Sequence, residues 1–342
     1  MIKGAEIRYK VVYITVEGEQ LDITGAVNGL NWTEGEKELA SKIVFKVQYD
    51  EKISGMTLNS PIIIYADVGK GYEECIRGSI QKIKTVESNK EFSIRVECAD
   101  NCIGMRQSQG DYYFTADHSS TEILKKILED NGLAHEIRVE DAKHGKKIYR
   151  GKYIADMVGD VLKDLKEKSG KAYFVRSRAG VIEIIERGTN ESIYVFDIKG
   201  NVEKVEDGFD GSKAATRVKV VGKTREEGHQ HVDALVSKDV EKLGERTRIY
   251  QRGEHETLEE AEKAAEKLLN EQGIRRETKI EAIDVPIMRK GDKILLKSTL
   301  GKGYFYVKSI NHRADVQKMT LSLDYDTSES EYDIAGRDEL SE

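Results

Sequence analysis

The chain has 342 residues, and its 55 Lys and Arg against 62 Asp and Glu give a formal net charge of −7. Hydrophobic residues make up 38% of the sequence and charged residues 34%, which excludes the disordered and collagen-like classes. The acidic balance argues against a dedicated nucleic-acid binder. At roughly 150 residues per domain, the length predicts about two domains. Because no apolar run reaches the ~18–20 residues of a membrane span and no signal peptide is visible, we expect synthesis in the cytoplasm.

Cysteine and histidine spacing predicts neither a disulfide nor a metal site. Cys75, Cys98 and Cys102 are an odd number without an export signal, which indicates reduced thiols. Cys98 and Cys102 lack a second ligand pair nearby, and we expect small buried side chains. His229 and His231 would share a face on a strand, but they lie in a polar stretch without a third ligand. We therefore expect no metal and no cofactor.

The first hundred residues have the pattern of β structure. Hydrophobic residues alternate along 43–47, and an apolar run at 62–65 is consistent with a strand buried on both faces. Residues 67–71 supply a glycine-rich turn, and further strands are predicted at 75–86 and 91–98. Short strands joined by glycine turns indicate a barrel or a sandwich.

Helical periodicity follows. Ser119 and Glu122 form a capping-box pattern before an apolar stripe, and an Asn-Gly pair ends this helix at 131–132. A second helix carries its stripe between 154 and 165 and ends at 169–170, and a small hairpin follows it. Such stripes usually face a core, although they would also suit a partner-binding surface.

The last third returns to β structure. A polar stretch at 222–253 contains one short helix, from 237 to 243, and Thr257 and Glu260 make a second capping box before an alanine-rich helix. Four strands are predicted between 278 and 325.

Two distant segments, 41–80 and 278–310, share one order of elements. Each has a strand, a glycine-bearing turn, an apolar strand, the sequence GKGY and a strand ending in Ser-Ile. A four-residue identity arises easily by chance, but the shared order favours a duplicated β unit. GKGY, at 69–72 and 301–304, lacks the pattern of a phosphate-binding loop and precedes strand-like residues, so hairpin turns are predicted. The sequence thus predicts two related barrels separated by a helical insert.

No catalytic constellation stands out. G-x-S-x-G is absent, and 62 acidic residues produce many chance carboxylate pairs without selecting any for lysozyme-type chemistry. One Trp and 16 Tyr scattered through strand-like segments argue against a carbohydrate-binding module with aromatic platforms. These features favour a structural or binding role.

Five stretches together resemble one family. They are the first helix (115–133), the second helix with its hairpin (153–185), a spacer (237–250), the alanine-rich helix (256–273) and the closing segment (288–326). Their order resembles the baseplate hub proteins of long-tailed phages and contractile injection machines. These comprise the late control protein D group, the XkdQ-like prophage tail proteins and the N-terminal part of type VI secretion spike proteins. The resemblance extends from about residue 30 to residue 326.

The resemblance implies an α+β, β-rich fold with two related tail-tube-like β-barrel domains and an inserted α/β region. The expected domains are a first β-barrel at 1–110, a helical α+β insert at 111–210, a second β-barrel with a long helix at 211–326 and a flexible acidic tail at 327–342.

The resemblance also implies a non-enzymatic hub in the tail baseplate of a phage or phage-like particle. It would be a homotrimer that adapts the sixfold tail tube to the threefold central spike, since two barrels per subunit give six in a trimer. Expected partners are the tail tube protein, the spike protein, other baseplate proteins and the tape-measure protein, with DNA passing without specific binding. A tail-associated peptidoglycan hydrolase is the alternative. Candidate shape-setting turns and protein contacts, with ordinary solvated lysines as the other interpretation, are Gly69, Lys70, Gly71, Gly301, Lys302 and Gly303.

Overall fold

The structure is a computed structural model, and it describes residues 6–48, 53, 55–88, 91–226 and 229–325. The chain forms two compact units. The first contains Met1–Val205 and Lys279–Glu342, and the second contains Glu206–Thr278. The predicted tail at 327–342 lies outside the described residues. Within those residues, no helix is both long enough and apolar enough to cross a membrane.

Seven strands form the first half of unit 1. They are β1 Arg8–Ile14, β2 Gln20–Asp22, β3 Val27–Glu34, β4 Lys42–Gln48, β5 Pro61–Asp67, β6 Tyr72–Ser88 and β7 Glu91–Ala99. Their order in the sheet is β3-β4-β7-β6-β5-β1-β2, with every neighbouring pair antiparallel. Ile43, Phe45 and Val47 of β4 are buried in one shared core, as their alternation predicts.

An α+β insert follows. Its elements are α1 Ile103–Gln107, β8 Gln109–Phe114, α2 Ser120–Asp130, β9 His135–Arg138, β10 Lys147–Tyr153, α3 Ile154–Ser169, β11 Tyr173–Arg178 and β12 Val181–Glu186. β8 pairs with β10, and β11, β12 and β9 form a three-stranded sheet. The capping box of Ser119 and Glu122 at α2 is confirmed, and α3 ends at Gly170 with a φ of +72°. The apolar stripes of both helices are buried in the core of the insert, which agrees with the interpretation that they face a core and not a partner.

The remaining elements complete both units. They are β13 Tyr194–Asp197, β14 Val202–Asp210, β15 Arg217–Glu226, β16 His229–Ser237, α4 Val240–Leu243, β17 Thr247–Gln251, α5 Leu258–Glu271, β18 Arg275–Ile283, β19 Lys293–Lys297, β20 Lys302–Arg313 and β21 Lys318–Tyr325. The chain leaves unit 1 within β14 and returns to it within β18.

The second half of unit 1 repeats the strand order of the first. Its order β13-β19-β20-β21-β18-β14 corresponds to β1-β5-β6-β7-β4-β3. The halves differ in that β2 has no counterpart among the described strands of the second half, and in that β13 runs parallel to β19, whereas β1 runs antiparallel to β5. The segments 41–80 and 278–310 supply strands at corresponding places in these orders. The halves join where β20 pairs with β3. Among the described strands, this large sheet is an open path of hydrogen-bonded neighbours.

Unit 2 is a small α/β layer. Its sheet has the order β16-β15-β17, and α5 contributes Ala261, Ala265 and Leu269 to a core shared with Val218 and Val220 of β15. The capping box predicted at the start of α5 is confirmed.

For the polar stretch at 222–253 the sequence predicts only one short helix and no strand, and this is wrong: the stretch contains most of the β15–β16 hairpin and all of β17. Two register shifts interrupt the β15–β16 ladder, between Val220 and Val221 and between Val221 and Arg225. A bulged strand loses the period-two pattern by which strands are recognised in a sequence.

Candidate assembly surfaces

Both GKGY sequences lie at the turn of a β-hairpin, but they occupy different positions relative to the paired strands. In the first, Gly69 and Gly71 lie in the turn between β5 and β6, with φ of +94° and +99°. In the second, Gly301 lies in the turn between β19 and β20, whereas Lys302 and Gly303 already belong to β20. The last residue pair before the turn is Asp67–Tyr72 in the first hairpin and Lys297–Lys302 in the second. When the two GKGY sequences are aligned, the strand pairing of one hairpin is therefore offset by two residues from that of the other.

Asp67 organises the first turn. Its Oδ1 accepts hydrogen bonds from the backbone N–H groups of Gly69 (2.7 Å), Lys70 (3.0 Å) and Gly71 (2.9 Å), and its Oδ2 accepts one from Arg8 (2.6 Å). The backbone N–H groups of Gly69 and Gly71, with Arg8, lower the pKa of Asp67. The turn is therefore fixed from inside and presents the exposed Lys70 at its tip.

The second turn uses a hydroxyl in place of a carboxylate. Ser298 Oγ accepts a hydrogen bond from Gly301 N–H (3.0 Å) and donates one to the Gly301 carbonyl (3.1 Å). Gly303 has a φ of +127°, and a Cβ there would lie 3.4 Å from the ring of Tyr325. Gly303 thus adopts a backbone conformation that other residues avoid and lies against a strand of the core.

The segment between β18 and β19 links the parts of unit 1 through buried charges. Arg289 is buried and donates a hydrogen bond from Nε to the carboxylate of Glu34 at the end of β3. Burial alone would raise the pKa of Glu34, but the charge and hydrogen bond of Arg289 outweigh it, and the pKa is lowered. The neighbouring Lys290 donates from Nζ to the carbonyls of Gly35 (3.3 Å) and Glu38 (2.7 Å).

The same segment also holds the insert. Arg176 of β11 donates to Asp292 (2.9 Å) and to Glu183 (2.9 Å), and all three side chains are buried. Gly291 has a φ of +92° and lies against the ring of Phe174. The segment 284–292, here called the junction segment, therefore contacts the first half, the insert and the second half of unit 1.

His312, isolated in the sequence, belongs to this junction. Its ring stacks on Trp32 with centroids 4.4 Å apart, and its Nδ1 lies 2.6 Å from Asp284 Oδ1. Tyr9 donates its hydroxyl to the other oxygen of Asp284, and burial, with the charge of Asp284, raises the pKa of Tyr9. These contacts join β1, β3 and β20 around one buried carboxylate.

His144 takes part in a Ser-His-Asp arrangement that sequence reasoning missed. Its Nε2 lies 2.6 Å from Ser120 Oγ, and its Nδ1 lies 3.4 Å from Asp164 Oδ2. Ser120 is 0% exposed and His144 2%, and the Ser120 hydroxyl also lies 3.0 Å from the Ala142 carbonyl, which accepts its hydrogen bond. Because the nucleophile position is closed and its proton has another acceptor, the arrangement ties a loop to the start of α2.

The other candidate ligands are dispersed. All three cysteines are buried, and burial raises the pKa of Cys75 to about 12, which keeps the thiol protonated. His229 and His231 lie on β16 and not in a loop. Across the described part of the chain, no group of three or more metal-ligating side chains is brought together.

The fold is that of phage tail proteins. The 43 kDa tail protein of prophage MuSo2 from Shewanella oneidensis is similar with a TM-score of 0.69 at 12% identity, over 93% of this chain and 98% of that chain. A tail protein from Neisseria meningitidis gives 0.66 at 12% identity, over 93% and 97%. Prophage tail protein gp18 from Listeria monocytogenes gives 0.53 at 14% identity, over 93% and 94%.

The amino-acid sequence shows the family to which the chain belongs. A family model described as YQBQ-like matches residues 30–326, so the chain belongs to the YQBQ-like family. The resemblance to phage tail proteins is thereby confirmed over the residues for which it was predicted. No curated protein matches the chain.

Proposed function

We propose that the chain is the structural hub subunit of a phage or phage-derived contractile tail baseplate. In this proposal it forms a homotrimeric ring between the sixfold tail tube and the threefold central spike. The observation that supports it is the repeated strand order of the two halves of unit 1. A trimer of such subunits contains six similar β units, so one ring presents sixfold pseudosymmetry on one face and threefold symmetry on the other.

The proposal includes a domain division. Each β half closes into a tail-tube-like barrel in the ring. The first barrel lies within 1–110, and the second is formed by 211–326 together with β13 and β14, which the predicted insert at 111–210 includes. Other baseplate proteins and the tape-measure protein surround the ring, and DNA passes through it without specific binding. An acidic chain, at −7, suits such a conduit because like charges disfavour adhesion of phosphates.

The test is the mass and symmetry of the assembled protein. We expect light scattering to give three times the chain mass, either for the protein alone or after addition of its tail tube protein, since partners stabilise the assembled state. Electron microscopy of that particle should show a threefold ring with six similar densities. A twofold dimer, or a monomer that persists with its partners, would contradict the proposal.

We further propose that Lys70 and Lys302 contact neighbouring tail proteins. Lys70→Glu and Lys302→Glu should each weaken co-purification with the tail tube or spike protein, and the exposed Lys84→Glu on β6 is the matched control. Equal retention in all three variants would assign both lysines to ordinary solvated positions.

We also infer that the hub acts without catalysis, because the Ser120–His144–Asp164 arrangement is closed to a substrate. A zymogram with purified protein on peptidoglycan should show no clearing. Clearing that a single carboxylate or Ser120→Ala substitution abolishes would instead support the tail-associated hydrolase.

A further inference from the structure

The ribbon of β8 and β10 has an open edge beside a cavity. Among the described strands β10 pairs with β8 alone, which leaves its other edge without a neighbour. A cavity of about 610 Å³ runs along that strand, lined by residues 146–153 and by Asp156 and Asp160 of α3. Unpaired strand edges of this kind accept an additional extended segment through backbone hydrogen bonds.

The segment that forms this edge is basic, whereas the chain as a whole is acidic. Residues 143–152 contain five Lys and Arg and no carboxylate, whereas the whole chain carries −7. Lys147 is neutralised by Asp160 (3.0 Å) and Asp164 (2.7 Å). Lys146 and Arg150 are exposed and have no carboxylate partner within the described residues; Lys146 lies 5.1 Å from the ring centroid of Tyr113. Two cations therefore remain available to an acidic ligand.

The outer face of the ribbon carries an apolar pair between these cations. Ile148 lies directly opposite Tyr113 across the ladder, and the two side chains are 50% and 60% exposed. Lys146, Ile148 and Arg150 are all exposed, whereas Lys147 and Tyr149 between them are half-buried and buried. The three exposed side chains therefore share the outer face, although Lys146 precedes β10 and Arg150 lies at the register shift after Tyr149. The edge thus presents the pattern cation, apolar, cation at alternate positions.

The complementary pattern occurs in the chain itself, outside the described residues. Residues 326–342 contain seven carboxylates and one arginine, and residues 338–342 read DELSE. Asp338, Leu340 and Glu342 give acid, apolar, acid at alternate positions. The pattern is symmetrical, so it matches the edge in either strand direction.

We propose that residues 338–342 add as a strand to the open edge of β10. Leu340 then lies beside Ile148, and the carboxylates of Asp338 and Glu342 lie beside Lys146 and Arg150, as cross-strand pairing favours. The donor is the same chain or a second copy. This contact is independent of the proposed hub role, and its test does not involve other tail proteins.

Disulfide trapping in the full-length chain tests the contact. Ile148→Cys with Leu340→Cys should cross-link under mild oxidation, and the native cysteines, all buried, should not interfere. The matched control is Ile148→Cys with Ser341→Cys, because neighbouring residues of a strand point to opposite faces. We expect at least fivefold more cross-linked product for the 340 pair. Linked monomer identifies the same chain as donor, and linked dimer identifies a second copy.

Charge reversal provides the second arm. Arg150→Glu in the 148/340 cysteine background should reduce the cross-link severalfold, and raising the salt concentration should reduce it in the unreversed protein. If the cysteine variants do not fold, hydrogen exchange on the native sequence replaces them, with tenfold faster exchange at residues 146–149 expected in Asp338→Lys/Glu342→Lys. Equal cross-linking of the 340 and 341 pairs, no cross-link in a folded variant, or unchanged exchange would overturn the proposal.

Discussion

Two asparagine side chains take the place of a neighbouring strand in the second half of unit 1. Asn201 accepts a hydrogen bond from Asp197 N–H (2.9 Å) and donates one to the Val195 carbonyl (3.0 Å). Asn190 does the same for Lys293, accepting from its N–H (2.7 Å) and donating to its carbonyl (3.0 Å). A side-chain amide has the donor and acceptor of a peptide group, so each asparagine satisfies a backbone position that would otherwise invite strand addition.

Removal of one such amide should weaken both stability and edge protection. Asn201→Ala leaves the Asp197 N–H and the Val195 carbonyl to water, which should lower the free energy of unfolding by about 0.5–1.5 kcal/mol, the net contribution of such a hydrogen bond. Urea unfolding measures this loss, and light scattering should show concentration-dependent self-association. The exposed Asn28→Ala on β3 is the control. Equal stability of the two variants would show that the Asn201 amide contributes nothing.

The buried His144 should make stability depend on pH. Burial lowers its pKa; the hydrogen bond to Asp164 opposes this, and the charges of Lys168 and Lys147 reinforce it. Because the folded-state pKa lies below the unfolded value of about 6.5, the unfolded chain binds the proton more readily, and the free energy of unfolding falls as pH drops below about 6.5.

The measurement compares His144→Gln with the native protein by urea unfolding at pH 7.5 and pH 5.0. The native protein should lose more stability across this interval than the variant, which has no imidazole to protonate. Parallel losses in the two proteins would show that the titration of His144 does not affect folding.

At the scale of elements, the junction segment depends on a buried ion pair. Arg289→Met leaves the Glu34 carboxylate buried without its partner, which should cost about 3–5 kcal/mol in the free energy of unfolding. The double variant Glu34→Leu/Arg289→Met should recover most of this, because the uncompensated charge is gone. Lys125→Met, which removes the exposed ion pair with Glu129 on α2, should cost at most about 1 kcal/mol. A double variant as unstable as the single one would contradict this account.

The elements that the sequence predicts well are those whose signals are local. Both capping boxes, at Ser119 and Thr257, lie where hydroxyl and carboxylate are three residues apart, and the structure contains both. In the first half, strands β4 to β7 follow from alternation, an apolar run and glycine turns, whereas β1, β2 and β3 carry no signal from which they are predicted. These signals need no knowledge of the rest of the chain.

What the sequence does not predict depends on distant partners or on irregular register. Glu34 and Arg289 are 255 residues apart, and nothing local marks either as buried. His144 and His312 are isolated in the sequence because their partners come from other elements. The identity of the two GKGY sequences is misleading, because Lys70 lies in a turn whereas Lys302 is already paired in a strand.

At the scale of the whole molecule, the two parts of the chain that lie outside the repeated strand order, the α+β insert and unit 2, are both insertions. The α+β insert separates the two halves, and unit 2 interrupts the second half between β14 and β18. The two differ in what they contribute. The insert supplies Arg176 to the junction with Asp292, whereas the core of unit 2 is formed by residues 215–269 of its own.

Excision of unit 2 should therefore leave unit 1 folded. Asp207 on β14 accepts hydrogen bonds from Arg276 (2.8 Å) and Thr278 (2.7 Å) on β18, so the two ends of the insertion lie side by side and a short Gly-Ser linker can replace residues 211–274. The three cores that hold unit 1 lose no residue in this variant. We expect its circular dichroism to retain the β signal and its thermal midpoint to fall by only a few degrees. The matched excision of 111–186 should fail to fold, because it removes most of one core, exposes the remaining members of that core and leaves Asp292 buried without Arg176. Loss of cooperative unfolding after removal of 211–274 would show that unit 2 is required by the fold it interrupts.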